Sequence, residues 1–260
     1  MASSEEETEK PRWGKFDANI SNIEDGETVW RYIDLAKFVD LLVKRRIYFC
    51  RSDLLEDSFE GMPPGPVLKY LHDRYREIND IGRAWEDPVA TANQTLTELR
   101  KSNFINSWYL SGYESAAMWS LYSKIGSGIA IQSTIGGLRC EMPPNVCVGK
   151  VMYVNFETAK IDVKHDIRGF FFLKRNHFEH EREVRALYSV SNSDTAPAKP
   201  GRYVEGVHLE RMIQSVVLAP RTPDWFRDSI EEVMKTFLPD VHVRKSSLDA
   251  EPPIKSSKPM

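Results

Sequence analysis

The stretch HFEHEREVRAL (177–187) concentrates side chains able to do chemistry. Extended from about Glu181, it sends Glu181, Glu183 and Arg185 to one face of a sheet, with Val184, Ala186 and Tyr188 on the other. On a surface or edge strand, two carboxylates beside a guanidinium are an ordinary ion-pair network. In a cleft, a carboxylate so placed orients a substrate hydroxyl or stabilises positive charge in a transition state, and Arg185 positions it. Lys174 and Arg175, one segment earlier, then supply anion contacts. A second group lies near the start of the chain. Arg31 and Tyr32 end one strand pattern, and Arg51 and Ser52 end another. If those strands are neighbours, two guanidinium groups and a hydroxyl converge at one rim, and the planar fork of arginine suits a phosphate. The competing reading pairs Arg31 with Asp34 or with the loop acids Asp53, Glu56, Asp57 and Glu60. Trp119 and Tyr122 are three apart in MWSLYSKIGSGIAI (118–131), so on a helix they share a face. They either fill a core or stack against a base or a nicotinamide ring.

Other chemistries lack the residues they need. His177, His180 and Glu181 are close, but H-E-x-x-H is missing and no cysteine pair accompanies them, so no metal is expected. Neither G-x-S-x-G nor G-x-x-x-x-G-K-[ST] occurs, and the glycines at 126, 128, 136 and 137 do not form G-x-G-x-x-G. A net charge of −3 argues against a chain held to nucleic acid by bulk electrostatics, although a local basic groove stays open. The three cysteines form no C-x-x-C pair, the N-terminus MASSEEETEK is no signal peptide, and no apolar run approaches the roughly 20 residues of a membrane span. A cytoplasmic protein with no membrane partner is expected.

The elements that must position these groups follow from periodicity. ETVWRYID, LAKFVDLLVKRR and IYFC read as strand, helix and strand, with Leu35, Phe38, Val39, Leu42 and Val43 as the apolar stripe and Asp34 as the cap. Residues 67–101 read as helical with a break at Asp87-Pro88, and FINSWYLS (104–111), SGIAIQST and VCVGKVMYVNF read as strands. IDVKHDIRGFFFLKRNHF reads as a helix feeding the strand EVRALYSV. Further strands are expected in GVHLERMIQSVVLAP and VHVRKSSL, around a helix over TPDWFRDSIEEVMKTFL with Thr222 as N-cap and Pro223 first. The mixture lacks a regular βαβ rhythm, so the fold class is α+β, with a mixed central sheet and flanking helices. Residues 1–12 and 249–260 are polar and proline-bearing and read as disordered tails around a single domain, 13–248.

Several of these segments resemble a widespread, mostly bacterial family of uncharacterised proteins catalogued as domain of unknown function 2971. WRYID…LLVKRRIYFCRSDLLEDSFEG is similar to its opening, with Ser58 where its Asn-Asp-Pro-Phe-Glu-like loop often has proline. AAMWSLYSKIGSGIAI is similar to its Met-Trp-x-x-Tyr helix and following strand, FEHEREVRAL to its Glu-x-Glu-x-Arg segment, and VVLAPRTP to its closing portion. The likeness spans roughly 28–248. The element order also resembles the ADP-ribosyltransferase fold, in which a first-strand Arg or His contacts NAD and a late-strand Glu aids transfer. That resemblance implies NAD as the nucleotide, Arg31 as its contact, Glu183 or Glu181 as the catalytic carboxylate, and a toxin or defence setting. The acceptor stays open. The Ser-Thr-Ser strand of the Arg–Ser–Glu class is missing, NSWYLS offering Ser107 and Ser111. Two other readings compete: a non-enzymatic module binding a nucleotide or protein, and a nucleic-acid hydrolase holding Mg²⁺ on the acids of 53–60.

Overall fold

The computed structural model describes residues 23–82, 85–123, 126–161, 167–190 and 199–252. The expected tail 1–12 lies outside them. Of the expected tail 249–260, residues 249–252 are described, and both Asp249 carboxylate oxygens accept from the Arg221 backbone N–H at 3.0 Å.

The fold is α+β, with a mixed sheet. Strand β1 (Thr28–Ile33), helix α1 (Leu35–Lys44) and strand β2 (Arg46–Arg51) follow in the expected order. Asp34 caps α1 by accepting from the Lys37 N–H at 2.8 Å. The buried face of α1 is Phe38, Leu41 and Leu42, whereas Leu35, Val39 and Val43 are exposed, so the helix is rotated from the expected stripe. Strand β3 (Asn103–Leu110) is the hub. One of its edges is paired along its length by β8 (Glu183–Ser189), from Asn103↔Ser189 to Tyr109↔Glu183.

The other edge is shared. β1 pairs it at Val29↔Leu110 and Trp30↔Tyr109, and β2 pairs it at Cys50↔Ile105 and Arg51↔Phe104. β1 and β2 are therefore not neighbours in a ladder; they fork apart from β3. Beyond β1 lie β4 (Ile129–Thr134), β10 (Ser215–Leu218) and β11 (His242–Lys245), the last pair parallel. Beyond β2 lies β9 (Gly201–Glu205), and β5 (Val146–Lys150) flanks β8.

Helices α2 (Gly65–Asp80) and α3 (Pro88–Lys101) bracket the expected break, and α3 starts on an Asp87 cap. Helix α4 (Ala116–Tyr122) precedes β4, and α5 (Ile135–Cys140) follows it. The short α6 (Leu209–Met212) leads to β10, and α7 (Asp224–Phe237) to β11. The Thr222 hydroxyl does not cap α7; it donates to the Ala219 carbonyl at 2.5 Å, and Pro223 occupies the cap position.

The helix expected ahead of EVRALYSV is not formed over its described part. Residues 162–166 lie outside the described residues, and 3₁₀ turns at Ile167–Phe172 and Asn176–Glu181 flank β7 (Leu173–Arg175). β7 pairs in parallel with β6 (Met152–Val154). Phe170, Phe171, Phe172 and Leu173 are all buried, which one face of an α-helix does not allow for successive residues.

The apolar interior has three parts. The largest joins α1 and α7 to one face of the sheet through Phe38, Leu42, Phe226 and Ile230. On the other face, Ile105 and Leu187 belong to a second cluster with Val67, Leu96 and the Phe170–Leu173 run. Tyr109 belongs to a third, with Trp30, Tyr32, Met118 and Trp119. Along β3 the order Ile105, Ser107, Tyr109 therefore passes from one apolar cluster to another through a polar seam.

Gly61 fixes the loop that reaches this seam. Its φ is +71°, and a Cβ there would lie 2.3 Å from Cε1 of the fully buried Phe171. Gly61→Ala is expected to cost about 1–3 kcal/mol, read by urea unfolding, because strain and overpacking add. Unchanged stability would mean that Phe171 is loosely held.

Candidate functional site

At the seam, Glu183 and Arg185 leave β8 on the same face, and both are buried. Glu181 is not on the strand. It ends a 3₁₀ turn, and Arg182 at φ 40° in the left-handed region redirects the chain before β8 begins. The three side chains still meet, as expected, but in the interior rather than on a surface or edge strand. Arg185 Nη1 and Nη2 donate to Glu60 at 2.7 and 2.8 Å, and its Nε donates to Glu183 Oε2 at 2.7 Å. Lys174 Nζ lies 2.6 Å from Glu183 Oε1 and 2.5 Å from Glu181 Oε2. The Ser107 hydroxyl donates to Glu183 Oε2 at 2.7 Å, and the Glu183 N–H donates to the Tyr153 hydroxyl at 2.8 Å.

Three carboxylates, Glu60, Glu181 and Glu183, thus face two cations, Lys174 and Arg185. The surplus acid splits the titration of the two neighbouring glutamates. Burial and then the adjoining Glu183 carboxylate push Glu181 up from its ordinary 4.5. Burial alone would also raise Glu183, but Arg185 and then Lys174 overturn it and hold Glu183 well below that value. Burial, with the negative charges of the neighbouring Glu181 and Glu183, pushes the Tyr122 pKa up. At neutral pH Glu183 stays ionised and Tyr122 stays protonated.

Arg31 stands across the fork from this cluster. Its Nη1 donates to the Ser107 carbonyl at 2.7 Å, and its guanidinium lies 5.9 Å from the Trp108 ring centroid. Four of the five acids expected to compete for it are engaged elsewhere, and the fifth, Glu56, lines the same cavity without coming within ion-pair distance of it. Asp34 pairs with Lys37, Asp53 with Arg51, Asp57 with Arg175, and Glu60 with Arg185. Among the described residues no carboxylate comes within ion-pair distance of Arg31, and burial lowers its pKa to about 10. A cavity of about 760 Å³ runs through the fork and is lined by Arg31, Tyr32, Ser107, Tyr122, Glu181 and Glu183 among others. That volume suits a ligand of small-molecule size.

Not every expected residue reaches this cavity. Arg51 turns back onto Asp53 at 2.6 Å, and the Ser52 hydroxyl donates to the Arg100 carbonyl at 2.8 Å. Neither lines the cavity, because β1 and β2 contact β3 at different levels instead of ending at one rim. Trp119 is also outside it. Its indole N–H donates to Glu114 at 2.9 Å and its ring packs edge-on to Tyr32 at 4.9 Å, so of the two α4 aromatics only Tyr122 faces the cavity.

No family model and no curated protein matches the chain. The geometry therefore carries the reading of the site. Among the described residues no group of His, Cys, Asp and Glu is arranged to hold a metal ion, and none of the helices is long and apolar enough to cross a membrane.

Replacing Arg185 by Leu strips Glu60 and Glu183 of their buried partner. A loss of about 3–5 kcal/mol is expected in urea unfolding at neutral pH. A loss below about 1 kcal/mol would show the cluster to be solvated and weak.

Proposed function

We propose that the cleft binds NAD and that the protein is an ADP-ribosyltransferase-like enzyme. The carrying observation is that Arg31 of β1 and Glu183 of β8 meet at one residue of the intervening strand β3, Ser107. One hydrogen bond to the Ser107 carbonyl and one from its hydroxyl join them along the wall of a single cavity. The resemblance to that fold calls for a first-strand Arg and a late-strand Glu, which Arg31 and Glu183 supply, while its Ser-Thr-Ser strand is missing and Ser107 alone stands between them.

Each group has a defined task in this reading. Arg31, a half-buried cation with no carboxylate within ion-pair distance among the described residues, takes the pyrophosphate. The bond from ribose C1′ to the nicotinamide nitrogen breaks, and its electron pair leaves with neutral nicotinamide. The positive charge left on the ribose faces the ionised Glu183, as in other oxocarbenium-like transition states. A lone pair of the acceptor forms the new bond to C1′, and its proton passes to Glu181. A raised pKa makes Glu181 the better base, and neighbouring carboxylates pushed apart in pKa divide the roles in this way.

One observation favours a second reading, a nucleotide-binding module without turnover. Every oxygen of Glu183 already accepts a hydrogen bond from Ser107, Lys174 or Arg185, as a purely structural cluster would. The Mg²⁺-hydrolase reading has less support, since Asp53, Asp57 and Glu60 each sit against an arginine.

Nicotinamide release from NAD by folded protein separates these readings. The enzyme reading expects release, lowered about 10²–10³-fold by Glu183→Gln and by Arg31→Ala. The module reading expects NAD binding without release in any variant. Folded wild type that neither binds NAD nor releases nicotinamide contradicts both.

The pH profile tests the division of roles. Glu181 must be deprotonated to accept a proton, so the acid limb of the rate should lie above the ordinary 4.5 and should be removed or displaced in Glu181→Gln. An acid limb unchanged in that variant would assign the titration to another group.

A further inference from the structure

The cleft wall opposite the glutamates carries an aromatic surface that the proposed chemistry does not use. Tyr48 of β2 and Tyr203 of β9 are cross-strand partners, their ring centroids are 5.2 Å apart, and both line the same cavity as Arg31 and Glu183. They are partly exposed, at 38% and 40%, although the ring-sized residues around the fork, such as Trp30 and Trp108, are buried.

The two rings are held in place. Opposite Cys50, Gly201 has no side chain, and a Cβ there would lie 2.2 Å from the Tyr48 ring, so that ring lies against the β9 backbone. The Tyr48 hydroxyl donates to the Pro200 carbonyl at 3.1 Å. The Arg46 guanidinium lies 3.8 Å from the Tyr203 ring centroid, and Arg46 is in turn fixed by two hydrogen bonds to Asp40 at 2.8 and 3.1 Å. A guanidinium and two phenol rings thus form one aromatic corner, the rings tilted by 57° to each other and Arg46 lying over Tyr203.

Its place relative to Arg31 follows from β3. The Asn106 side-chain amide donates to the Tyr48 carbonyl at 2.7 Å, and the next residue, Ser107, accepts from Arg31. Successive strand residues are only about 3.3 Å apart. The β2 backbone that carries Tyr48 and the Arg31 guanidinium are therefore anchored at successive residues of β3, and Ser107 also bonds Glu183. In a dinucleotide the second base lies beyond the pyrophosphate from the reacting ribose, so a pyrophosphate on Arg31 leaves that base to a neighbouring part of the same cavity.

We infer that Tyr48 and Tyr203 form the stacking floor for the adenine of the dinucleotide whose pyrophosphate Arg31 holds. The inference rests on the reading of the cleft as a nucleotide site, and it gives the substrate's second base a place other than Trp119 or Tyr122, the stacking residues expected from the sequence. Base-on-aromatic stacking needs no acceptor or donor from the protein and is sequence-tolerant.

The test is calorimetric titration of the full chain with ADP-ribose and, separately, with inorganic pyrophosphate. ADP-ribose is expected to bind more tightly than pyrophosphate. Tyr48→Ala and Tyr203→Ala should each weaken ADP-ribose about tenfold to a hundredfold while leaving pyrophosphate unchanged. Tyr48→Phe should keep most of the affinity, and Gly201→Ala, which lifts the ring without removing it, should lose part of it. Alanine variants that bind ADP-ribose as wild type does would overturn the stacking floor and leave the nucleotide reading intact. An equal loss of both probes in the alanine variants would overturn it as well, since the effect would then not belong to the base. Folded wild type binding neither probe would overturn the nucleotide reading and the floor together.

Discussion

Over residues 106–108, the edge of β3 between the points where β1 and β2 pair with it has no ladder partner among the described residues. Buried backbone donors and acceptors must be satisfied, and here side chains do it. The Asn106 amide holds the Tyr48 carbonyl and the Arg31 guanidinium holds the Ser107 carbonyl. The fork is consequently a cavity rather than a continuous sheet, and its first polar group is a cation. A closed ladder from β1 to β2 would leave neither the space nor the unpaired charge.

The second constraint is electrostatic. Placing Glu60, Glu181, Glu183, Lys174 and Arg185 between two apolar clusters removes most of their hydration. Such a group is tolerated only when charges and hydrogen bonds are mutually satisfied, and removing one member leaves the others uncompensated. With one acid more than the cations, the strain falls on Glu181 and Glu183, whose titrations move in opposite directions. Arg31, by contrast, is half-buried against a carbonyl and an indole and has no carboxylate within ion-pair distance among the described residues. One side of the cleft is thus closed electrostatically, and the other carries a cation with no carboxylate within ion-pair distance among the described residues.

Much of this was legible in the residues, for identifiable reasons. The period-2 spacing of Glu183 and Arg185 against Val184 and Ala186 gave their shared face, and Asp34 before an apolar stripe gave the capped helix. The convergence of Glu181 was anticipated for the wrong reason, since a left-handed Arg182 rather than strand periodicity brings it in. The pairing of Arg51 and Ser52 with Arg31 failed because two strands flanking a helix need not be neighbours, and here both lean on β3. The FFFL run reads as part of a helix, whereas the burial of four successive side chains goes with 3₁₀ turn and strand instead. β9 and its Tyr203 carried little signal: a short edge strand between Pro200 and Gly206 looks like a loop. Glu60 was visible only as one acid among several, because its pairing with Arg185 spans 125 residues.

The central claim is that Arg31 is the cleft's unsatisfied cation and takes the anionic part of the ligand. The most direct measurement follows the arginine side-chain Nε–H signals of ¹⁵N-labelled protein, with Arg31→Lys identifying the resonance, as ADP-ribose is added. A saturable shift of the Arg31 signal, with the buried Arg185 signal left in place, is the predicted result. Binding of ADP-ribose that leaves the Arg31 signal unmoved would contradict the account and place the ligand's phosphates elsewhere.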